Sequence, residues 1–212
     1  MGAKAALFDL DGTLVDSERR SLVLWSTLLV NHGIDHDEHL LREFMGRRGP
    51  DVLAEKALLF PGRRVEDLMA ELRSYYDQPG LPAVSPVPGA AELVRRIDGH
   101  GLPVALVTSA RRWWARSCLE LLGIDDVVQT IVSGEDVAVG KPDPAGFLAG
   151  ARALGVRPGE CVAFEDSLAG IAAAKAAGMT CVGVATTHHV SELSAADLVV
   201  SDLTGVDWPI SL

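Results

Sequence analysis

The feature that most constrains this chain is a rhythm. Short apolar runs end in polar or acidic residues and alternate with longer segments of helical spacing. KAALFD, PVALVTS, CVAFED, TCVGVA and DLVVS are the apolar runs. Between them lie AAELVRRIDGHG, WWARSCLELLG, PAGFLAGARALG and LAGIAAAKAAG, each closed by a glycine where a helix would stop. Strands that alternate with helices of about ten to fifteen residues give a parallel sheet covered on both faces. The predicted fold class is therefore α/β, with a doubly wound parallel sheet.

Residues 17–87 break the rhythm. SERRSLVLWSTLLVNHG, DEHLLREFMG, PDVLAEKALLF and VEDLMAELRSYYDQ carry apolar residues at helical spacing, and no convincing strand interrupts them. The proline-rich PGLPAVSPVPG that follows cannot continue a helix. The expected organisation is a core from 1–16 and 88–212, with a helical domain inserted at 17–87. At 212 residues the chain has room for one buried core and a small insertion of this kind.

Charge and cysteines narrow the function. A net charge of −10 argues against a nucleic-acid partner, because such binding draws on clustered Lys and Arg. No apolar run reaches the length of about eighteen residues needed to span a bilayer, and the N-terminus shows no secretion pattern, so neither a membrane partner nor export is expected. Cys118, Cys161 and Cys181 lack C-x-x-C spacing and read as buried reduced thiols. The expectation is a cytoplasmic protein, monomeric or weakly dimeric.

FDLDGTLVDSE carries the most chemistry. Asp9 and Asp11 stand two apart where a buried strand ends, at the sheet edge where open α/β folds bind ligands. Alone, the pair reads equally as a strand running into a turn. Three further signals follow, each at a strand end or helix start: Thr108 and Ser109 in VTSA, Lys141 in GKPDP, and Glu165 and Asp166 in FEDSLAG. Singly these are caps or solvated charges. Together they bring carboxylates, one cation and hydroxyl donors to one edge.

These four stretches, in this order, resemble the sequence motifs of the haloacid dehalogenase superfamily over residues 4 to about 200. The resemblance implies a Rossmann-like core with an inserted helical cap domain. It implies that Asp9 attacks phosphorus to form an aspartyl-phosphate while Asp11 protonates the leaving oxygen and then activates water. Thr108 and Lys141 would hold the phosphoryl oxygens, with Ser109 beside them. Mg2+ would lie on Asp9, Asp166 and the main-chain carbonyl of Asp11, with Glu165 bound directly or through water. That chemistry is physically sound: an anionic nucleophile meets an anionic ester only where a divalent ion and a lysine offset their repulsion.

Within the superfamily, the paired aspartates set this chain apart from the dehalogenases, which use one and need no metal. A hydrolase of the phosphonoacetaldehyde type would need a cap lysine near Gly49, where MGRRGP has none. Phosphoglycolate phosphatases usually show a G-D-T form of the last motif. FEDSLAG looks like the form found in beta-phosphoglucomutase and the sugar phosphatases, which points to a small sugar- or polyol-phosphate substrate. In the mutases a histidine on the first cap helix helps couple closure to chemistry; its position here is Ser21, so a phosphatase is expected. Arg47 and Arg48, between two cap helices, are candidates to reach the substrate, with solvated surface arginines as the alternative. A non-catalytic module is disfavoured because every nucleophile and ligand position is filled. His188 and His189 suggest no metal site, and Trp113 and Trp114 read as packing or subunit-contact residues in preference to substrate stacking.

Overall fold

In a computed structural model describing residues 2–210, the chain divides into two compact units, Met1–Asp16 with Ser85–Leu212, and Ser17–Val84. The first unit carries the sheet. Its strands are β1 (Ala5–Phe8), β2 (Val15–Asp16), β3 (Ser85–Pro86), β4 (Val104–Val107), β5 (Thr130–Val132), β6 (Cys161–Glu165), β7 (Thr180–Val184) and β8 (Leu198–Val200). Six of them form one sheet in the order β5-β4-β1-β6-β7-β8, with every neighbouring pair parallel. Thus β1, the first strand made, lies inside the sheet. The chain runs outward through β4 and β5, then returns to the other side of β1 for β6.

The helices that follow Ser17 are α1 (Glu18–Asn31), α2 (Glu38–Arg42), α3 (Gly49–Glu55) and α4 (Val65–Tyr75) in the second unit, and α5 (Ala90–Gly99), α6 (Arg112–Leu122), α7 (Ala145–Ala153) and α8 (Leu168–Ala176) in the first. Right-handed crossovers running opposite ways from β1 put α5 and α6 on one face of the sheet and α7 and α8 on the other. Alternation along β1 serves both faces. Ala5 and Leu7 join Val107, Ala163, Phe147 of α7 and Ile171 of α8 in one apolar cluster. On the other face Phe8 stacks on Phe164 at 4.4 Å between ring centres, and Phe164 lies 6.5 Å from Trp208. Because β1 and β6 are buried along their whole length, they read as apolar runs, unbroken in β1 and ended by Glu165 in β6.

The helical unit has its own core. Leu24, Trp25, Leu28 and Leu29, one stripe of α1, pack with Phe44, Val52, Leu53, Phe60, Leu68, Leu72 and Tyr75. The unit ends at Val84, short of residue 87, since Ser85 and Pro86 pair with Val15 and Asp16 across β2 and β3. Sequence periodicity misses that two-residue ladder, and it also misses β5, whose TIV is too short to register. The stretch DEHLLREFMG shortens to the five residues of α2. Cys118, Cys161 and Cys181 are buried, and no helix among the described residues is long and apolar enough to cross a membrane.

Candidate active site

Three loops converge at the carboxyl edge, beside the point where strand order reverses between β1 and β6. Asp9 follows β1 directly, and its N–H donates to Phe164 O at 3.0 Å, prolonging the ladder by one residue and fixing the carboxylate at the rim. Thr108 leaves β4 in the same way, its N–H on Val132 O at 2.9 Å. Glu165 is the last residue of β6 and Asp166 the next. Oxygens of Asp9, Glu165 and Asp166 all lie within 4.8 Å of one another, in residues no more than 6% exposed.

Lys141 answers them. Its Nζ donates to Asp9 Oδ1 at 2.5 Å, to Glu165 Oε1 at 2.5 Å and to Val107 O at 3.2 Å. Three carboxylates thus face one ammonium, which leaves buried negative charge in excess. Burial pushes Asp9 well above the usual carboxylate range, opposed by Lys141 and reinforced by Glu165 and Asp166. Burial, with Glu165 beside it, pushes Asp166 up to about 8. Burial disfavours the charge on Lys141, but Asp9 and Glu165 outweigh it and hold the ammonium above the ordinary lysine range. Buried oxygen donors with surplus negative charge suit a hard divalent cation such as magnesium.

The supporting contacts show which groups remain available. Glu165 Oε2 accepts from Ser167 N at 2.8 Å and Ser167 Oγ at 2.9 Å, so both of its oxygens already have donors. Asp166 accepts from Thr13 Oγ1 at 3.4 Å and from Thr187 Oγ1. Thr186 donates to the Gly12 carbonyl. Gly12 has φ +89°, and a Cβ there would stand 2.0 Å from Asp166 Oδ2, so only glycine lets the loop pass the carboxylate. Asp11 is half-buried, with Oδ1 accepting from Trp114 Nε1 at 3.0 Å. Thr108 Oγ1 accepts from Ala110 N at 3.0 Å, and the buried Ser109 Oγ has no partner among the described residues.

Asp9, Lys141, Glu165 and Asp166 therefore meet, with Thr108, Ser109 and Asp11 on the loops that border them. Arg47 and Arg48 belong to the helical unit. There Arg47 pairs with Glu55 at 2.7 Å, and Arg48 holds both oxygens of Asp51 at 2.6 and 2.9 Å. Thr13, Thr186, Thr187, Ser167 and Trp114 were absent from the residues chosen from sequence. The two threonines after β7 were detectable by the rule that selected Thr108, a hydroxyl at the carboxyl end of an apolar run. Trp114, expected to pack or to meet a subunit, gave no such signal, since its partner is 103 residues away.

A doubly wound sheet with a buried carboxylate centre at its carboxyl edge, answered by one lysine, defines an α/β protein with a ligand site at that edge. The chain belongs to the haloacid dehalogenase-like hydrolases, whose family profile matches residues 3–178. It is 42% identical to validoxylamine A 7'-phosphate phosphatase of Streptomyces hygroscopicus subsp. limoneus, over 97% of each chain. It is 33% identical to hexitol phosphatase A of Escherichia coli, over 96% of this chain and 93% of that one. Among solved structures, beta-phosphoglucomutase of Clostridium difficile superposes with a TM-score of 0.83 at 26% identity, covering 97% of this chain and 94% of the other. The chain is a phosphoric monoester hydrolase of this family.

Proposed function

We propose that this enzyme is a magnesium-dependent phosphatase of small phosphomonoesters, sugar or polyol phosphates above all, working through an aspartyl-phosphate on Asp9. The observation that carries the reading is the gathering of Asp9, Glu165 and Asp166 within 4.8 Å around the Lys141 ammonium. Asp9, Asp166 and the Asp11 main-chain carbonyl would hold the ion, with Glu165 adjacent. Bound there, magnesium would offset the repulsion between the attacking carboxylate and the phosphoryl oxygens.

The protein's own groups perform the rest. Lys141 opposes the protonation of Asp9 and aims its carboxylate, and Glu165, fixed by Ser167, keeps Lys141 in place. Thr108 and Ser109 offer hydroxyls to phosphoryl oxygens, and the unpartnered Ser109 Oγ supports that role. Asp11 supplies a proton to the leaving oxygen, then takes one from the attacking water. The helical unit, inserted five residues after Asp11, we read as a cap that excludes water and selects substrate, with Arg47 and Arg48 as its candidate contacts. The names of the two phosphatase relatives support a polyhydroxylated substrate. A small-metabolite enzyme with three buried thiols belongs in a reducing cytoplasm.

Hydrolysis of a generic aryl phosphate with magnesium, and its reversible loss with EDTA, tests the chemistry; activity indifferent to EDTA would overturn the metal. A panel of phosphorylated sugars and polyols tests the substrate class. Likeness to the mutase structure raises one competitor. Position 21 of α1 is serine, so the histidine that couples closure to chemistry in the mutases is missing. Given beta-glucose 1-phosphate and a trace of the bisphosphate, the enzyme should release phosphate; glucose 6-phosphate accumulating faster would reverse the assignment.

A further inference from the structure

We propose that Trp114 is a positioning residue for proton transfer: its indole N–H holds Oδ1 of Asp11, so the proton that Asp11 gives up and takes back resides on Oδ2. The inference rests on Asp11 acting as the acid and base in the reading above. An indole nitrogen donates and never accepts, so the oxygen facing it at 3.0 Å must present a lone pair. A hydroxyl oxygen is a poorer acceptor than a carbonyl oxygen, so the indole contact is stronger when Oδ1 is the unprotonated one. Of the two carboxylate oxygens, Oδ2 is then the favoured carrier.

The indole is well anchored for this purpose. Trp114 is the third residue of α6, and that first turn is tied to the segment after β5. Arg112 N donates to Glu135 Oε2 at 3.0 Å, while its guanidinium reaches Asp136 Oδ2 at 2.5 Å and Ile131 O at 3.0 Å. Ala115, next in the helix, is fully buried. Trp113 meets the Trp114 ring edge-on, with centres 5.9 Å apart and planes at 67°, limiting its swing. The contact thus joins the loop after β1 to the helix after β4 by a donor with little freedom to move.

The proton balance follows. In the first half-reaction an Asp9 oxygen bonds to phosphorus, and the bond from phosphorus to the leaving oxygen breaks. Its electron pair stays on that oxygen, which takes the proton from Asp11 Oδ2. In the second, a water oxygen bonds to phosphorus and its proton passes to Asp11 Oδ2. The bond to Asp9 breaks, returning its pair to the carboxylate.

Trp114→Phe keeps a ring and removes the N–H. For a polyol phosphate, whose alkoxide must be protonated as it leaves, kcat/KM should fall about tenfold or more. For a dinitrophenyl phosphate, whose leaving group needs no proton, kcat/KM should stay within about twofold of wild type. Equal loss on both substrates, or loss on neither, overturns the proposal while the phosphatase reading stands. If the wild type hydrolyses no phosphomonoester, that reading falls and takes this one with it. Should the variant fail to fold, the indole N–H resonances decide. Asp11→Ala should move that of Trp114 and leave that of Trp25 in place, and an unmoved Trp114 signal overturns the contact.

Discussion

At the scale of single residues, the site sets charge against burial. The proposed attack needs an ionised Asp9, yet its surroundings favour its protonated form, and the 2.5 Å contact to Lys141 opposes that tendency. Asp9→Asn exchanges little volume and removes one of the three crowded charges. Turnover should drop by at least about 10³-fold. The melting temperature in EDTA should not fall, because the carboxylate being lost is one that burial and its neighbours disfavour. Near-wild-type turnover would refute the nucleophile. Gly170 makes a second test. In an ordinary helix Gly→Ala is stabilising by about 1 kcal/mol. Here the new Cβ would stand 1.7 Å from Glu165 Oε1, an overlap that neither group can absorb without moving. Overpacking of about 1–3 kcal/mol should outweigh the propensity gain. Gly170→Ala should therefore melt lower than wild type in denaturant titration and lose activity as Glu165 shifts off Lys141; a higher stability would show that the carboxylate has room.

At the scale of elements, each unit's helices are explained by the face they bury. The apolar stripe of α1 fills a core that is made within the helical unit itself, which is why those helices form apart from any sheet. The turn before α3 carries Arg47 and Arg48, whose guanidiniums are engaged by Glu55 and Asp51. The Arg47–Glu55 pair is accessible enough to contribute about 0–1 kcal/mol, and the more buried, bidentate Arg48–Asp51 pair more, so replacing both arginines with Ala should cost stability mainly through Arg48. If they select substrate, the same replacement should raise KM about tenfold or more for a polyol phosphate and much less for a small aryl phosphate. Steady-state kinetics on both substrates checks this, and equal effects would refute a specificity role.

At the scale of the whole molecule, the acidic centre links folding, pH and metal. Asp166 titrates near 8 in the folded, metal-free protein, against roughly 3.9 for an unfolded Asp. A carboxylate whose folded pKa is raised binds protons more tightly folded than unfolded. Its contribution to stability is thus full below about pH 4 and lost progressively as pH rises toward about 8. Magnesium, bound there as proposed, would compete with those protons and favour the folded, ionised cluster. The gain in melting temperature on adding saturating magnesium should therefore grow from pH 5 to about pH 8, as measured by thermal scans in matched EDTA and magnesium buffers. A gain independent of pH would mean that the ion does not bind where the carboxylates crowd.

The sequence by itself determined the alternation of strand and helix, and it marked a helical stretch after the first strand and strand-end candidates at Asp9, Asp11, Thr108, Lys141, Glu165 and Asp166. All of these depend on local patterning: apolar periodicity marks the elements, and polar residues at strand ends mark the rim. The two-residue β2–β3 ladder lay beyond that reading, because it is paired by residues seventy apart and has no period of its own. Only the tertiary structure decided that β1 lies between β4 and β6, which is what turns separate strand ends into one centre. It alone assigned both oxygens of Glu165 to Lys141 and Ser167, and set Thr13 and Thr187 on Asp166 and Trp114 on Asp11. Those contacts cross from 21 to 153 residues of sequence, apart from the local turn at Ser167, and a hydrogen bond between side chains so far separated leaves no periodic trace. It exists only once the sheet has brought its strands into order.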